Sequence, residues 1–275
     1  MPLMLPFTQL FPPDHRMVAG NPRACGEIGR MRFRPRSELL LCELHAHTTW
    51  SDGALALGAL VDLYGGHGFD VLCVTDHLHP TPAGGAAPSG IHGGNVGAYL
   101  EEVEREATRA RALYDLLLVP GLELTAHDPD PDRSAHVLAV GLHSGVSLDD
   151  GLAEGLLAAR AAGAATIGAH PAGPGDDGGS SREPTRRLWR ELDGLGALLD
   201  RFELVNRHQV FGWVAQTRLP AVACGDFHRL EHFFTWKTLL PCTKDERSLV
   251  DCLRSPARAY LTAFEPPGSL SHLAA

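Results

Sequence analysis

The sequence predicts an α/β fold in which strands and helices alternate around a barrel, and three observations support this prediction. Short apolar runs typical of buried strands alternate with segments of helical spacing from residue 38 onwards, the pattern of a mostly parallel sheet with helices outside it. Polar residues able to do chemistry follow nearly every apolar run, and in such barrels they gather at the C-terminal ends of the strands. A length of 275 residues fits one barrel domain.

The first half of the predicted barrel begins with an apolar run at 39–44, which we expect to be a buried strand. Helical spacing follows over 55–64, and Gly65 and Gly66 are expected to end this helix. A long amphipathic helix is predicted over 96–113, where glutamates precede arginines in the order that suits the helix dipole. The other elements predicted in this half are strands over 71–74 and 116–119 and a Pro/Gly-rich loop over 78–94.

The second half continues the same alternation, with Glu123 expected just beyond the strand at 116–119. A Gly-rich stretch at 172–181 is expected to line the mouth of the site. The predicted strands are 136–140, 165–168, 202–205 and 221–224, and the predicted helices are 152–162, a segment through 188–192, 210–217 and 245–254. Segments 235–240 and 259–262 complete the pattern.

The chain is expected to form a single domain with an irregular N-terminal extension. Residues 1–37 are rich in proline and lack sustained periodicity, which is typical of an irregular segment. The predicted domain spans 38–265, and residues 266–275 form a C-terminal tail.

The composition limits the partners that the protein can have. The formal net charge is −9 with the histidines neutral, whereas a protein that grips long nucleic acid presents a basic surface. No apolar stretch is long enough to predict a membrane span. The six cysteines contain no C-x-x-C pair, and the N-terminus does not resemble a signal peptide. We therefore expect a cytoplasmic protein that holds any anionic substrate through local positive charges, such as bound metal ions.

Two pairs of polar residues indicate where such ions would bind. His45 and His47 are one residue apart, so on an extended strand both side chains leave the same face. Asp226 and His228 repeat that spacing on a later predicted strand. One such pair alone is weak evidence, but these residues border apolar runs, where an unpaired charge is costly and coordination removes the cost.

The full set of candidate ligands contains imidazoles and carboxylates but no group of thiolates. Such ligands suit zinc, manganese or iron, and they argue against a structural zinc of the finger type. Nine candidates are too many for one ion and suit two or three. The predicted metal ligands are His45, His47, Asp52, His77, Glu123, His136, His170, Asp226 and His228.

The motifs that contain these residues follow one another in a specific order: H-x-H, S-D-G, T-D-H, an isolated Glu, an isolated His, A-H-P and D-x-H. In this order, over residues 39–263, the chain resembles the polymerase-and-histidinol-phosphatase (PHP) superfamily of metal-dependent phosphoesterases. The resemblance implies a distorted (β/α)7 barrel, a TIM-like fold, in which two or three divalent ions hydrolyse phosphoesters through metal-activated water.

The resemblance also implies a division of the ligands among three ions. The implied groups are His45, His47, Glu123 and Asp226 for the first ion, Glu123, His136 and His170 for the second, and Asp52, His77 and His228 for the third. The residues predicted to act in catalysis as well are Asp52, His77, Glu123 and His228. In one departure from many relatives, the T-D-H is followed by Leu78 and His79 instead of an acidic residue.

Several further residues are candidates for supporting roles. Arg207 follows a predicted strand, and Arg207 and His208 are predicted to contact phosphate, although Arg207 is equally well explained as a surface arginine. His79 and His208 are candidates for protonating the leaving oxygen. Asp76 is expected to orient a ligand histidine. The histidines expected to be ordinary surface or core residues are His67, His92, His127, His143, His232 and His272.

The predicted function is hydrolysis of a small phosphate ester, either a phosphomonoester or a short nucleotide, by metal-activated water. Two alternatives use the same centre: an exonuclease acting on short oligonucleotides, or a histidinol-phosphate phosphatase. A non-catalytic binding module stabilised by metal is an alternative from a different class. The expected partner is a small phosphorylated substrate, and the sequence leaves the oligomeric state open.

Overall fold

In the computed structural model, residues 39–81, 90–174, 176 and 185–266 are described, and they form an α/β fold around a mixed sheet. The predicted α/β class is confirmed. The predicted extension at 1–37 lies outside the described residues, as do parts of the loops at 78–94 and 172–181 and nearly all of the predicted tail. In the described residues, no helix is long and apolar enough to cross a membrane.

Within the described residues, the sheet contains eleven strands, and six helices accompany it. The strands are β1 Leu40–Glu43, β2 Val71–Val74, β3 His77–Leu78, β4 Leu117–Ala126, β5 Ala135–Val140, β6 Ala165–Ala169, β7 Arg201–Asn206, β8 Gln209–Val210, β9 Ala221–Cys224, β10 Trp236–Leu240 and β11 Tyr260–Ala263. The helices are α1 Leu57–Gly66, α2 Val96–Tyr114, α3 Leu152–Ala161, α4 Arg187–Arg190, α5 Gly212–Thr217 and α6 Glu246–Arg254.

The segments that follow β1 and β9 meet at one rim of the sheet. The strand order is β11-β10-β1-β2-β4-β5-β6-β7-β8, while β3 pairs with β4 and β9 pairs with β7. Just beyond β1 and β9, Ala46 and Phe227 form a parallel bridge. The His47 N–H donates to the Phe227 carbonyl at 2.8 Å, and the Phe227 N–H donates to the His45 carbonyl at 3.1 Å. The segments that follow β1 and β9 therefore lie side by side.

Strand β5 runs against its neighbours, which explains how it contributes to the same rim. The pairs β1–β2, β2–β4, β6–β7 and β7–β9 are parallel, but β5 is antiparallel to both β4 and β6. His136 is the second residue of β5 and pairs in register with Thr125 and Ala169, near the ends of β4 and β6. An N-terminal position on an antiparallel strand thus lies beside the C-terminal ends of the parallel ones.

Strand β4 is longer than predicted, and the expected position of Glu123 beyond a strand is wrong. Glu123 lies inside β4 and pairs in register with His77 and Leu138. Pro120 and Gly121 follow the predicted strand, and such a dipeptide is a typical turn signal. A Cβ on Gly121 would lie 2.8 Å from the Ala139 carbonyl oxygen, so the glycine permits close contact with the adjacent strand and the strand continues.

Two predicted helices are shorter than expected. The segment through 188–192 forms only the four-residue helix α4, and a 3-10 turn follows at Leu195–Leu198. The helix predicted over 210–217 begins at Gly212, because Val210 pairs with Val205 in the β7–β8 hairpin.

The interior of the sheet is apolar, and α6 covers the end opposite to the rim. The thiols of Cys42, Cys73 and Cys224 are buried and free as expected, and burial raises the pKa of each. At the opposite end, the buried Arg201 guanidinium donates to four backbone carbonyls at and after the end of α6, at 2.7 to 3.0 Å. These bonds satisfy carbonyls that a helix end leaves unpaired. The polar groups at this end of the sheet are therefore hydrogen-bonded within the protein.

Candidate metal centre

The nine predicted ligands come together at the rim, and the first group surrounds one carboxylate oxygen. Glu123 Oε2 lies 3.2 Å from both His45 Nε2 and His47 Nε2. The two imidazole nitrogens are 2.9 Å apart. Asp226 Oδ1 completes the group at 3.4 Å from His45 Nε2 and 3.5 Å from His47 Nε2. Four side chains from the ends of β1 and β9 and from β4 thus converge on one small volume.

The second group shares Glu123 with the first. The other carboxylate oxygen, Oε1, lies 3.0 Å from His136 Nδ1 and 3.2 Å from His170 Nε2. One oxygen of Glu123 therefore faces each group, which is the arrangement expected of a carboxylate that bridges two ions. These three side chains come from the adjacent strands β4 and β5 and from the end of β6.

The third group is the most open to solvent. Asp52 Oδ2 lies 3.2 Å from His228 Nε2, and Asp52 Oδ1 lies 3.7 Å from both His77 Nε2 and His47 Nδ1. The Asp52 side chain is 55% exposed, whereas that of His47 is fully buried. This group consequently marks the side of the centre that a molecule from solvent would reach first.

His77 can contact either of two groups, and its hydrogen bonds indicate which nitrogen is available. Its Nδ1 lies 2.8 Å from Thr125 Oγ1, and the Thr125 hydroxyl donates to the Glu123 carbonyl oxygen at 3.0 Å. A hydroxyl that donates elsewhere accepts here, so Nδ1 carries a proton, and in the neutral ring Nε2 keeps the lone pair. That lone pair belongs to the nitrogen near Asp52, which favours the third group for His77.

The donor set fits divalent metal ions. Glu123 Oε2 and His136 Nε2 are buried without a hydrogen-bond partner among the described residues, and such burial is costly unless a cation or donor satisfies the atoms. Ligand atoms placed about 2.0–2.2 Å from one ion lie roughly 3–3.5 Å apart, as the atoms of the first group do. Imidazole nitrogens and carboxylate oxygens without thiolates suit zinc, manganese or iron.

Without metal, the centre balances carboxylates against protonated imidazoles. Burial opposes a charge on His228, but Asp226 and Asp52 outweigh it and raise the pKa of His228 to about 10. Because this value exceeds the ordinary 6.5, the pairing stabilises the metal-free fold fully below about pH 6.5, and the stabilisation is lost as the pH rises through about 10. His136 differs, since burial lowers its pKa to about 4 and keeps the ring neutral.

Metal binding at neutral pH is therefore expected to release protons. A protonated imidazole cannot coordinate an ion, and His45 and His228 both have a raised pKa in the metal-free centre. Calorimetric titration of Mn²⁺ into metal-free protein, repeated in buffers of different ionisation enthalpy, would count the protons released. A binding heat that is independent of the buffer would contradict this prediction.

Glu203 is a supporting residue that the sequence did not reveal. Its carboxylate is fully buried and lies 2.8 Å from His45 Nδ1, and its other oxygen accepts the His170 backbone N–H at 2.6 Å. The Asn206 side-chain amide donates to the same oxygen at 2.8 Å. A carboxylate on the far nitrogen of a ligand histidine fixes the ring and its tautomer, so Glu203 orients one ligand and holds the backbone of another.

Replacing Glu203 with glutamine is expected to weaken metal binding while the protein stays folded. Loss of such an outer partner lowers metal affinity roughly 10–100-fold. Competition with a metal-binding chromophore would measure the change. Glu154→Gln, at an exposed position on α3, is the control and should bind metal as the unmodified protein does. Equal affinity in both variants would contradict the assigned role.

A buried ion pair lies directly beneath the centre. Glu43 Oε2 is 2.7 Å from Lys237 Nζ, and both side chains are fully buried. Glu43 Oε1 accepts the backbone N–H of His45 at 3.2 Å and of Gly225 at 2.8 Å. The Tyr64 hydroxyl also donates to Glu43, at 3.1 Å. The Glu43 carboxylate thus connects the end of β1 to the end of β9, where the H-x-H and D-x-H motifs begin.

Gly225 sits between the members of this pair. A Cβ at this position would lie 2.3 Å from both Glu43 Oε2 and Lys237 Nζ, a distance at which neither atom could stay in place. The glycine is therefore required by the contact beneath the centre.

Asp76 acts differently from the expectation that it orients a ligand histidine. Its carboxylate accepts the Thr48 backbone N–H at 2.7 Å, the Thr48 hydroxyl at 2.8 Å and the Ser51 hydroxyl at 2.6 Å. Ser51 Oγ in turn lies 3.4 Å from His47 Nδ1. Asp76 thus holds the loop that carries Asp52, and within the described part of the chain it reaches a ligand histidine through Ser51.

The two predicted phosphate contacts occupy unlike positions. Arg207 Nη2 lies 2.9 Å from Asp226 Oδ2, and the arginine side chain is only 13% exposed, so it anchors a predicted ligand. His208 lies in the exposed turn between β7 and β8. Phosphate contact by either residue stays a prediction. Among the histidines expected to be ordinary, His232 accepts the His228 backbone N–H at 3.1 Å, whereas His272 lies outside the described residues.

Comparison with solved structures places this fold among known ones. A two-domain protein from Bacteroides vulgatus ATCC 8482, described as containing a predicted PHP-like metal-dependent phosphoesterase, matches 88% of this chain and 70% of its own at 16% identity, with a TM-score of 0.59. PsfC from Pseudomonas syringae PB-5123 matches 82% of this chain and 91% of its own at 16% identity, with a TM-score of 0.50. No family profile and no curated protein matches the sequence. The first likeness confirms the predicted PHP resemblance at the level of the fold.

Proposed function

We propose that this chain is a metal-dependent hydrolase of the PHP superfamily that cleaves a small phosphate ester. The observation that carries the proposal is the arrangement around Glu123, a buried carboxylate with one oxygen facing each of two ligand groups. The bridge between Ala46 and Phe227 also supports a distorted (β/α)7 barrel, since it joins the ends of β1 and β9. The likeness to a PHP-like protein supports the same assignment.

The side chains divide the work of such a reaction by position. Two or three bound divalent ions would stabilise charge on the phosphate oxygens and supply activated water. Arg207 holds Asp226 in place through the 2.9 Å ion pair, and Glu203 holds His45. Asp52 stands at the exposed edge, where an incoming phosphate would meet the centre. The overall charge of −9 is compatible with an anionic substrate because the ions reverse the local charge.

A substrate panel run with defined metals tests the proposal. Metal-free protein would be loaded with Mn²⁺, Zn²⁺ or Fe²⁺ and assayed for phosphate release from nucleoside monophosphates, sugar phosphates and histidinol phosphate. A labelled oligonucleotide in the same panel would detect exonuclease activity. We expect phosphate release from small monoesters. A chelator should abolish this activity, and added metal should restore it. Stoichiometric metal without turnover of any phosphoester would instead support a binding module.

A further inference from the structure

A cavity of about 420 Å³ opens beside the centre. Its walls come from the loops after β3, β4 and β5 and from α4, and they include His79, Leu148, Leu152 and Arg187. Cavities of roughly 300–1,000 Å³ are the size that binds small molecules. The cavity is therefore large enough to hold the part of a substrate that does not react.

The lining of the cavity contacts one of the candidate ligands. Thr125 lines the cavity, and its Oγ1 lies 2.8 Å from His77 Nδ1. The ring of His79, which also lines the cavity, is centred 5.6 Å from the ring of His77. The cavity therefore lies next to the centre, at the side of His77.

Arg187, on the cavity wall, has hydrogen-bond donors that are available for a ligand. Arg187 uses its Nε on Glu191, at 3.0 Å, and within the part of the chain that the structure describes neither of its Nη atoms has a hydrogen-bond partner. Its backbone is fixed, since its N–H donates to the Ser134 carbonyl and the next residue, Leu188, is fully buried. The other arginine of the cavity, Arg133, is already paired with an acidic side chain.

We propose that this cavity binds the alcohol portion of the phosphoester and that this portion carries a carboxylate, which Arg187 contacts. The substrate class is then the phosphate esters of hydroxy acids. This inference rests on the proposed function. A guanidinium with two available nitrogens matches a carboxylate in a bidentate contact. The cavity also contains Asp128 and Glu191, whose charges disfavour a dianion such as a second phosphate more than a monoanion.

The apolar part of the wall suits the carbon framework of such a substrate. Leu148 and Leu152 border the cavity next to Ala126. A ring or short chain that is placed against these side chains removes apolar surface from water, while the carboxylate stays at the polar wall near Arg187.

Two matched aryl esters test the inference, 4-carboxyphenyl phosphate and its neutral analogue 4-carbamoylphenyl phosphate, assayed with the Mn²⁺-loaded protein. We expect kcat/KM to favour the carboxylate ester, and the variant Arg187→Met to reduce this ratio by roughly tenfold or more, as the loss of a charged hydrogen bond does. The variant Glu191→Gln is expected to raise the ratio, because it frees Arg187 from its competing carboxylate.

If the Arg187–Glu191 pair were merely structural, both variants would change the kcat/KM ratio of the two esters in the same direction, and this result would overturn the inference. The control is Arg247→Met, which removes an exposed arginine with an acidic partner four residues later on α6 and should leave the ratio unchanged. Hydrolysis of both esters without preference would refute the inference alone. Failure to hydrolyse these two esters and every other phosphoester would refute the proposed function as well.

Discussion

The variant Glu123→Gln is expected to lose metal-dependent hydrolysis, with kcat/KM lowered on the order of a thousandfold or more. The two carboxylate oxygens of Glu123 face the first and second ligand groups, so replacing the carboxylate with a neutral amide weakens both groups at once. The charge stabilisation that a metal ion supplies is worth several kcal/mol, and every ~1.4 kcal/mol changes the rate tenfold. Glutamine has nearly the same shape, so the packing of β4 is kept.

Phosphate-release kinetics and elemental analysis of the bound metal would test this variant together. The control is Glu104→Gln, at an exposed position on α2, which should retain full activity and metal content. Full turnover by Glu123→Gln would show that the carboxylate between the groups is not part of the reaction. A normal metal content with lost turnover would restrict its role to catalysis.

The variant Glu43→Gln is expected to lower the free energy of unfolding by about 3–5 kcal/mol, the cost of leaving one member of a buried ion pair without its partner. Lys237 is fully buried, and its Nζ has only Glu43 and the Thr235 hydroxyl, at 2.8 Å, as described partners. Urea denaturation of the metal-free protein would measure the change, provided that the slope of the transition is unchanged.

A double variant distinguishes the charge effect from a loss of shape. Glu43→Gln combined with Lys237→Met leaves no unpaired charge, and it should recover part of the lost stability. The control, Asp251→Asn, alters an exposed pair on α6 and should change stability by less than about 0.5 kcal/mol. A double variant less stable than Glu43→Gln alone would contradict the assigned cause.

The candidate ligands could be predicted because nearly all of them stand next to a recognisable apolar run, and because their order along the chain is specific. His136 could be recognised as a candidate from its place in the motif order alone. The antiparallel direction of β5, which brings it to the rim, was not needed for this. Glu123 was expected outside a strand, and the preceding Pro120 and Gly121 are typical of a turn, whereas the absence of a Cβ on Gly121 lets adjacent strands approach. A local signal was overridden there by sheet packing.

The supporting carboxylates could not be assigned from local patterns. Glu203 meets His45 only in the folded chain, across a separation of 158 residues. Glu43 and Lys237 did leave a signal, since each is a charged residue within a run of strand residues. Charged side chains in such runs are seldom fully buried unless they are paired, so a buried partner could be expected for each. Glu203 also lies within a strand run, and the rule alone therefore does not select which carboxylate contacts Lys237.

The position of Gly225 supplies a criterion for recognising close relatives in sequence collections. A chain that keeps a D-x-H motif but has a larger residue before the aspartate cannot also keep a carboxylate and an ammonium group at the positions of Glu43 and Lys237. A search pattern that requires glycine before D-x-H, a glutamate two residues before H-x-H and a lysine after the D-x-H would therefore select chains that share this support, and it would separate them from proteins that share the ligands alone.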